Sequence, residues 1–594
     1  MVEQSGSDAY DFSTDAGVPN LTPLETMRHS AAHVMAHAVQ RLFPGARVTI
    51  GPAIETGFYY DFAVDTPFTE EDLPKIEAEM ARIAAGRHPF RREEVSREEA
   101  LALFSSMGEH YKVELLQAIP PGQTITLYRH DDFVDLCRGP HVEHTGCIGA
   151  FKLLSVAGAY WRGDSRNPML SRIYGTTFPT KEELDAYLRQ LEEARRRDHR
   201  KLGRELELIH FEPLAPGCAF WLPRGAVLWN TLSQWMRGLL LSHGYVEVRT
   251  PLIFNKRLWE ISGHWEHYQD NMFVMEAEGQ VYGLKPMNCP SHMLLFGARR
   301  RSYRELPLRM HDQGVLHRAE PSGTLGGLTR VRQFVQDDAH LFVTPDQVAA
   351  EMDQLLGLVD RVYRTFDLRY QVKLSTRDPA KMMGDPALWD RAEADLRSTL
   401  AARGMSYIEQ AREAAFYGPK IDFDVTDAIG RKWQCATIQL DFQIPLRFDL
   451  TYVGEDNAEH RPVVIHRAIF GSFERFIALL IEHYAGAFPL WLSPVQARVL
   501  GVSQRHDAYV REANELLLRH GVRSEVDLSG DKLGAKIRRA QLDKVPYMVV
   551  IGDKEVAART VSPRTRDGRQ LEARPLEVFA RELAAEAQPP PVAD

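Results

Sequence analysis

A chain of 594 residues is too long for one hydrophobic core and divides into three or four domains. Hydrophobic residues at 44% and charged residues at 26% are the make-up of a globular protein, and the lack of any run of 18 apolar residues excludes a membrane-spanning helix. Five scattered cysteines (Cys137, Cys147, Cys218, Cys289, Cys435) argue against a disulfide scaffold and for a reducing, cytoplasmic compartment, while a net charge of −9 gives no hint of a polyanionic partner.

Residues 1–20 are acidic and polar, lack the pattern of a signal peptide, and read as a disordered tail. Leu24–Phe43 has apolar residues at helical spacing and stops at Pro44-Gly45. Val48–Tyr60 reads as strand, turn and strand, Glu70–Arg87 and Glu94–Glu109 as helices, and Thr124–Thr176 as β-rich. Lys181–Glu207 is charged and helical throughout, and its Arg195-Arg196-Arg197 run reads as a solvated connecting helix. A second block, about His210 to Pro489, opens with a helix burying Val227, Leu228, Leu232, Trp235, Met236 and Leu239. A strand Tyr245–Thr250 follows, and further on strands at Gln434–Gln443 and Pro462–Ile465 precede an apolar helix at Gly471–His483. From Trp491 the elements alternate: strand Ala497–Val502, helix Ala508–His520, strand Arg523–Asp527, helix Leu533–Asp543, strand Tyr547–Ile551. That order implies a small α/β domain with a largely parallel sheet, and its second helix is basic (Lys532, Lys536, Arg538, Arg539, Lys544).

Three segments of the second block belong together: the long helix with its strand and Pro251; His317-Arg318-Ala319-Glu320 with the later Arg330-Val331-Arg332-Gln333-Phe334; and Gly471-Ser472-Phe473-Glu474-Arg475-Phe476. Singly, an Arg-x-Glu is a surface ion pair and a Glu-Arg a helix cap. In this order they resemble the three signature motifs of class II aminoacyl-tRNA synthetases. The resemblance implies an α+β multidomain fold with a mostly antiparallel sheet flanked by helices. It implies ATP with Mg²⁺, Arg318 on the α-phosphate, Glu320 reading the adenine amino group, Phe334 stacked on adenine, Arg475 holding the other face and the γ-phosphate, and Arg330 also at the nucleotide. Arginine suits this chemistry because its planar fork neutralises and positions phosphate oxygens together.

Lys285-Pro286-Met287-Asn288-Cys289-Pro290, Gln336-Asp337-Asp338-Ala339-His340 and Val464-Ile465-His466-Arg467 resemble the threonyl-tRNA synthetases specifically. That resemblance implies one zinc on Cys289, His340 and His466, with Asp338 as partner of the threonine hydroxyl. Gln336 and Tyr417 are expected at the amino acid, Gln439 at the adenylate and Lys420 in catalysis. Spacing alone offers instead a half-site Cys289-x-x-His292, which the family's pattern passes over, so His292 is expected to be structural. Three protein ligands leave zinc a position for a substrate. Threonine's amino and hydroxyl groups suit it, and valine has no hydroxyl, whereas an apolar pocket separates such isosteres only about a hundredfold.

Serine lacks only a methyl, worth roughly 1–3 kcal/mol, so a hydrolytic second site is expected. His29, His33 and His37 follow one another at four-residue steps. Each step turns about 400°, so adjacent pairs share a face and the outer two diverge by ~80°. Read without a family, His33-x-x-x-His37 with Cys137-x-x-x-His141 suggests a zinc hydrolase. The resemblance implies instead the editing domain of bacterial threonyl-tRNA synthetases, with His33, His37, Cys137 and His141 positioning a seryl ester and water, Asp135 assisting and His29 outside the pocket.

The resemblance runs from about Leu24 to Pro575. It implies an editing domain with connecting helix at 21–200, a catalytic domain at 201–490 and an anticodon-binding domain at 491–594. The implied partners are tRNA(Thr), ATP, L-threonine and a second copy of the chain across the first motif, with no membrane. Two departures stand out: many bacterial members begin with a ubiquitin-like domain that twenty polar residues do not supply, and Ser291 stands where glycine is expected. Rival readings are a prolyl enzyme, which Cys289, His340 and His466 oppose, and an RNA-binding regulator without amino-acid activation, which the retained Arg318, Glu320 and Arg475 oppose.

Overall fold

The computed structural model describes residues 20–164 and 166–592, so the expected tail lies outside the described residues except for Asn20. Two compact units divide after Glu192. Among the described residues no helix is long and apolar enough to cross a membrane.

In the first unit, the helix Pro23–Leu42 is started by a reciprocal capping box between Thr22 and Glu25, with proline in its first turn. Ala31, Val34, Met35 and Ala38 on this helix share a core with Phe58, Tyr60 and Phe62 of the strand Gly57–Ala63. That strand pairs antiparallel with Met169–Phe178, which pairs with Ala150–Tyr160. The helix Leu73–Ala85 closes the same core through Ile76, Met80 and Ile83. A separate three-stranded sheet (Arg91–Val95, Ile125–His130, Phe133–Leu136) carries Asp135. The helix expected over Glu94–Glu109 is shorter. Glu94 and Val95 belong to a strand, Ser96 and Glu99 form a capping box, and the helix covers Arg97–Ser106. After Gly108, whose φ of +72° suits glycine, an unanticipated second helix spans His110–Ala118 and brings in the buried Lys112. The expected continuous helix to Glu207 also breaks: it covers Lys181–Arg197, then Asp198 caps a new helix His199–Glu205 by accepting the Arg200 N–H.

The second unit is built on an eight-stranded sheet. Its order is Val246–Glu247, Leu308–Asp312, Asp338–Val343, Val463–Ala468, Lys432–Asp441, Lys420–Thr426, Arg369–Ser375, Tyr407–Gln410, antiparallel except for the two outermost pairs. The helices Pro223–Ser242, Val348–Thr365 and Phe473–His483 share its main core through Leu228, Leu232, Met236, Val359, Val362, Phe476 and Leu480. This is the antiparallel sheet flanked by helices that the sequence implied. The strand expected over Tyr245–Thr250 shrinks to Val246–Glu247, both exposed, because only the sheet edge is there to pair with it.

Beyond Trp491 three parallel strands, Ser524–Asp527, Ala497–Gly501 and Tyr547–Ile551, are joined by antiparallel Thr560–Thr565 and by Arg574–Pro575. The helices Asp507–Arg519 and Leu576–Glu586 bury Val510, Leu517, Phe579 and Leu583 in one core. The basic helix Leu533–Leu542 spends part of its charge internally. Lys536 is buried and donates to the Gly501 and Asp527 carbonyls, and Arg539 pairs with Asp527 and Asp531.

Candidate functional site

Register assembles the larger site. Lys420 is the cross-strand partner of Gln439, Gln439 of His466, and His466 of His340. Directly opposed residues point to the same face, so four side chains scattered along the sequence stand side by side. Asp338 lies two residues before His340 and shares that face. It is buried, which raises its carboxyl to about 6, and Asn288 Nδ2 donates to it at 3.0 Å. Tyr417 is buried beside the row, donating its hydroxyl to Gln439 Oε1 at 2.6 Å with its ring 5.2 Å from that of His466. Lys420 is paired with Asp422 at 2.8 Å. Gln336 is half-buried on the approach to Asp338, its N–H bonded to the Gly314 carbonyl.

Cys289 opens the helix Cys289–Gly297 and meets the row at its histidines. One ligand atom each from Cys289, His340 and His466 lies within 4.8 Å of the others, and all three residues are buried. Burial pushes the Cys289 thiol well up and His340 well down. A soft thiolate with two neutral imidazoles is a donor set that fits zinc and leaves a position open. His292, expected to be merely structural, reaches this set: its Nδ1 is 2.8 Å from Nδ1 of His340.

Three arginines converge beside the row. Arg318 lies over the rings of Phe334 (4.9 Å) and Tyr268 (5.7 Å). Arg330 donates to Glu320 Oε2 at 2.8 Å, so Glu320, expected to read adenine, is held by an ion pair here. Arg475 donates to the Thr329 carbonyl from two nitrogens and to the Gln434 carbonyl. Burial, together with the charges of Arg318 and Arg330, lowers the pKa of Arg475. Fixed positive charge crowded in this way is relieved by a polyanion.

The first unit holds another cluster. Ligand atoms of His29, His33, Cys137 and His141 all lie within 4.8 Å of one another. Cys137 Sγ is 3.3 Å from His29 Nε2 and 3.2 Å from His141 Nε2, and the rings of His29 and His141 stack at 4.3 Å. Gly139 makes this approach possible: its φ is +76°, and a Cβ there would fall 2.1 Å from the Tyr128 hydroxyl. Burial drives the Cys137 thiol up to about 12, His29 down to about 4, and His33 and His141 well below their ordinary value. Asp135 faces His33 at 3.6 Å, accepts the Tyr60 hydroxyl at 2.6 Å and is paired with Lys112.

Two placements correct the sequence reading. His29, expected outside, is inside the cluster. His37, expected inside, turns to Asp132 (2.7 Å) and His130 (3.1 Å). The ~80° between the outer histidines is the cause: the loop carrying Cys137 lies on the His29 side, and His37 cannot share it.

Residues 273–484 match the family described as tRNA synthetase class II core domain (G, H, P, S and T). Residues 496–586 match the anticodon binding domain, and residues 125–174 the threonyl and alanyl tRNA synthetase second additional domain. A threonine–tRNA ligase of Anaeromyxobacter dehalogenans is 58% identical, the match covering 96% of this chain and 90% of that one. That of Myxococcus xanthus is 55% identical, with 96% and 89% covered. The chain belongs to the threonine–tRNA ligase family. It is a class II aminoacyl-tRNA ligase with a class II core, an anticodon-binding domain and an editing-type domain. Among solved structures, the RNA binding domain of threonyl-tRNA synthetase from Cryptosporidium parvum superposes with a TM-score of 0.64 at 43% identity, covering 66% of this chain and 98% of that one. A prolyl-tRNA synthetase of Giardia lamblia (TM-score 0.53, 18% identity, 67% and 81% covered) shares the fold alone, and the prolyl reading falls away.

Several residues beside the two clusters escaped sequence reasoning: Lys112 and Tyr60 behind Asp135, and Asp441, whose Oδ2 is 2.9 Å from His466 Nε2. Asp441 lies within the strand expected over Gln434–Gln443, but no spacing ties it to a histidine 25 positions on. Lys112 sits in an unpredicted helix, and a lone lysine carries no signal.

Proposed function

We propose that the second unit activates L-threonine with ATP and transfers it to tRNA(Thr), and that the first unit hydrolyses seryl-tRNA(Thr). The observation that carries the first reading is the shared row of His340, His466, Gln439 and Lys420, with Asp338 on the same face and Cys289 beside it.

Cys289, His340 and His466 would hold a zinc ion, which would supply a Lewis acid for the amino and hydroxyl groups of threonine. Asp338 accepts the hydroxyl proton of the substrate, an interaction valine cannot make. Tyr417, Gln439 and Gln336 line the amino acid and its adenylate. The threonine carboxylate attacks the α-phosphorus of Mg²⁺-bound ATP, and pyrophosphate leaves. Arg318 and Lys420 offset the charge gathering on the α-phosphate, and Arg475 and Arg330 hold the departing end. Glu320 exchanges Arg330 for the adenine amino group, and Phe334 exchanges Arg318 for the adenine face. The terminal hydroxyl of tRNA(Thr) then attacks the threonyl carbonyl, releasing AMP.

In the first unit, water adds to the seryl ester carbonyl, and serine and tRNA(Thr) separate. His33, neutral and backed by Asp135, accepts a proton from that water and returns it to the departing tRNA hydroxyl oxygen, while His29, Cys137 and His141 hold the ester end. We read this set as metal-free.

Exposed apolar residues on the first-motif segment, Leu241, Val246 and Ile253, support a homodimer, and five free cysteines support a cytoplasmic setting. Domain limits of 21–200, 201–490 and 491–594 are part of the same reading. The deciding experiment is ATP–pyrophosphate exchange with threonine, serine, valine and proline. Strong exchange with threonine, weaker with serine and background with valine is the expected result. No exchange in zinc-replete protein would favour an RNA-binding regulator without activation.

A further inference from the structure

Each imidazole of the candidate zinc set has one ring nitrogen within hydrogen-bond distance of a further buried side chain. His466 Nε2 lies 2.9 Å from Asp441 Oδ2. A carboxylate only accepts, so Nε2 carries a proton, and in the neutral ring that a metal requires Nδ1 keeps the lone pair. Asp441 is fully buried, and its Oδ1 accepts the backbone N–H groups of Gln443 at 2.7 Å and Ile444 at 3.0 Å, which fix it at the end of its strand. It follows Gln439, the register partner of His466, by two residues and so reaches the ring diagonally on the same face. His340 is held by a different kind of group, Nδ1 of His292 at 2.8 Å. His292 is itself fully buried and follows Cys289 by three positions, on the same side of the helix.

We propose that Asp441 and His292 are positioning residues of the metal centre, placing protons on His466 Nε2 and His340 Nδ1 so that His466 Nδ1 and His340 Nε2 become the metal-binding atoms. This rests on the zinc reading above. A neutral imidazole offers a cation only its unprotonated nitrogen. A partner that accepts from the remote nitrogen selects the binding tautomer and fixes the ring plane, and loss of such a partner weakens metal binding about 10–100-fold. The helix that brings Cys289 to the metal thus also brings the support for a second ligand.

Asp441→Asn is nearly isosteric. Its amide oxygen still accepts from Gln443 and Ile444, but its NH₂ now faces His466 and drives the ring proton onto the metal-facing Nδ1. His292→Ala removes the acceptor for His340, and His292→Asn returns one close to the lost nitrogen. Zinc affinity of the full chain is measured by competition with a chromophoric chelator. The thiolate-to-cobalt band of the Co²⁺-substituted protein reports ligand geometry, and near-UV circular dichroism checks the fold. Asp441→Asn and His292→Ala should bind zinc about 10–100-fold more weakly with an altered cobalt band, and His292→Asn should recover most of the affinity. Parent-like affinity and an unchanged band in both Asp441→Asn and His292→Ala would overturn the inference. If Asp441→Asn does not fold, the His292 pair decides: equal affinity in His292→Ala and His292→Asn overturns it. A parent chain that binds no zinc removes the metal reading as well, whereas a zinc-binding parent with unaltered variants removes this inference alone.

Discussion

His340 and His466 oppose each other on adjacent antiparallel strands, their ring centroids 4.6 Å apart. Two imidazoles this close, with the Cys289 thiol completing the triangle, are a buried donor set that suits a divalent cation. The full chain should therefore carry one zinc, and Cys289→Ala or His466→Ala should lose it. Metal analysis after exhaustive dialysis checks this. A stoichiometry of two would instead place a second ion in the His29, His33, Cys137 and His141 cluster and revive a metal-dependent hydrolase there.

Arg475 is held by carbonyls of Thr329 and Gln434, so its guanidinium stays in place without a ligand. Arg475→Ala should lower threonine-dependent pyrophosphate exchange roughly 10²–10³-fold, the usual loss when one fixed transition-state donor is removed. Zinc content should not change. An exchange rate within a few-fold of the parent would take Arg475 out of the nucleotide site.

The two corrected histidines make a clean pair. His29→Ala should slow hydrolysis of seryl-tRNA(Thr) about 10²-fold or more, as should His33→Ala. His37→Ala should leave hydrolysis within a few-fold of the parent, because its partners are Asp132 and His130 rather than Cys137. None of the three should alter pyrophosphate exchange, since the exchange site lies in the other unit. Equal damage from His29→Ala and His37→Ala in the hydrolysis assay would reverse the assignment.

Glu474 is buried, and burial raises its carboxyl to about 7 from an ordinary 4.5, although it accepts the Val335 N–H at 2.9 Å. The folded state therefore holds a proton that the unfolded state has released between about pH 4.5 and 7. Stability must fall as pH rises through that window. Glu474→Gln keeps an acceptor for Val335 and abolishes this titration. The gap in thermal midpoint, variant minus parent, should widen from pH 4.5 to 7 and then level off. A gap independent of pH would mean that Glu474 is ionised in the fold.

Much of this architecture is legible in the sequence. The first helix with its Pro44-Gly45 stop, the apolar helix at Gly471–His483 and the alternating elements after Trp491 all declare themselves by period and punctuation, and the motifs around Arg318 and Arg475 name the chemistry. Sequence reading failed where two local signals compete or where tertiary placement decides. Ser96 and Glu99 spelled a capping box inside an apparently continuous helix, and the box won. His29–His33 and His33–His37 have identical spacing, and only the Cys137 loop, a hundred residues on, distinguishes them. The row from Lys420 to His340 depends on which strands become neighbours, and short-range periodicity carries no information about that.

That row has a further consequence. A one-residue slip along any of its three strand pairs would send every residue of the displaced strand to the opposite side of the sheet. The site thus fails as a whole: a misregistered sheet loses the histidines proposed to hold a metal, Gln439 or Lys420 outright instead of holding them slightly out of place. A damaged or misfolded copy should fall silent before it becomes inaccurate, which for a protein that sets the fidelity of translation is the safer of the two faults.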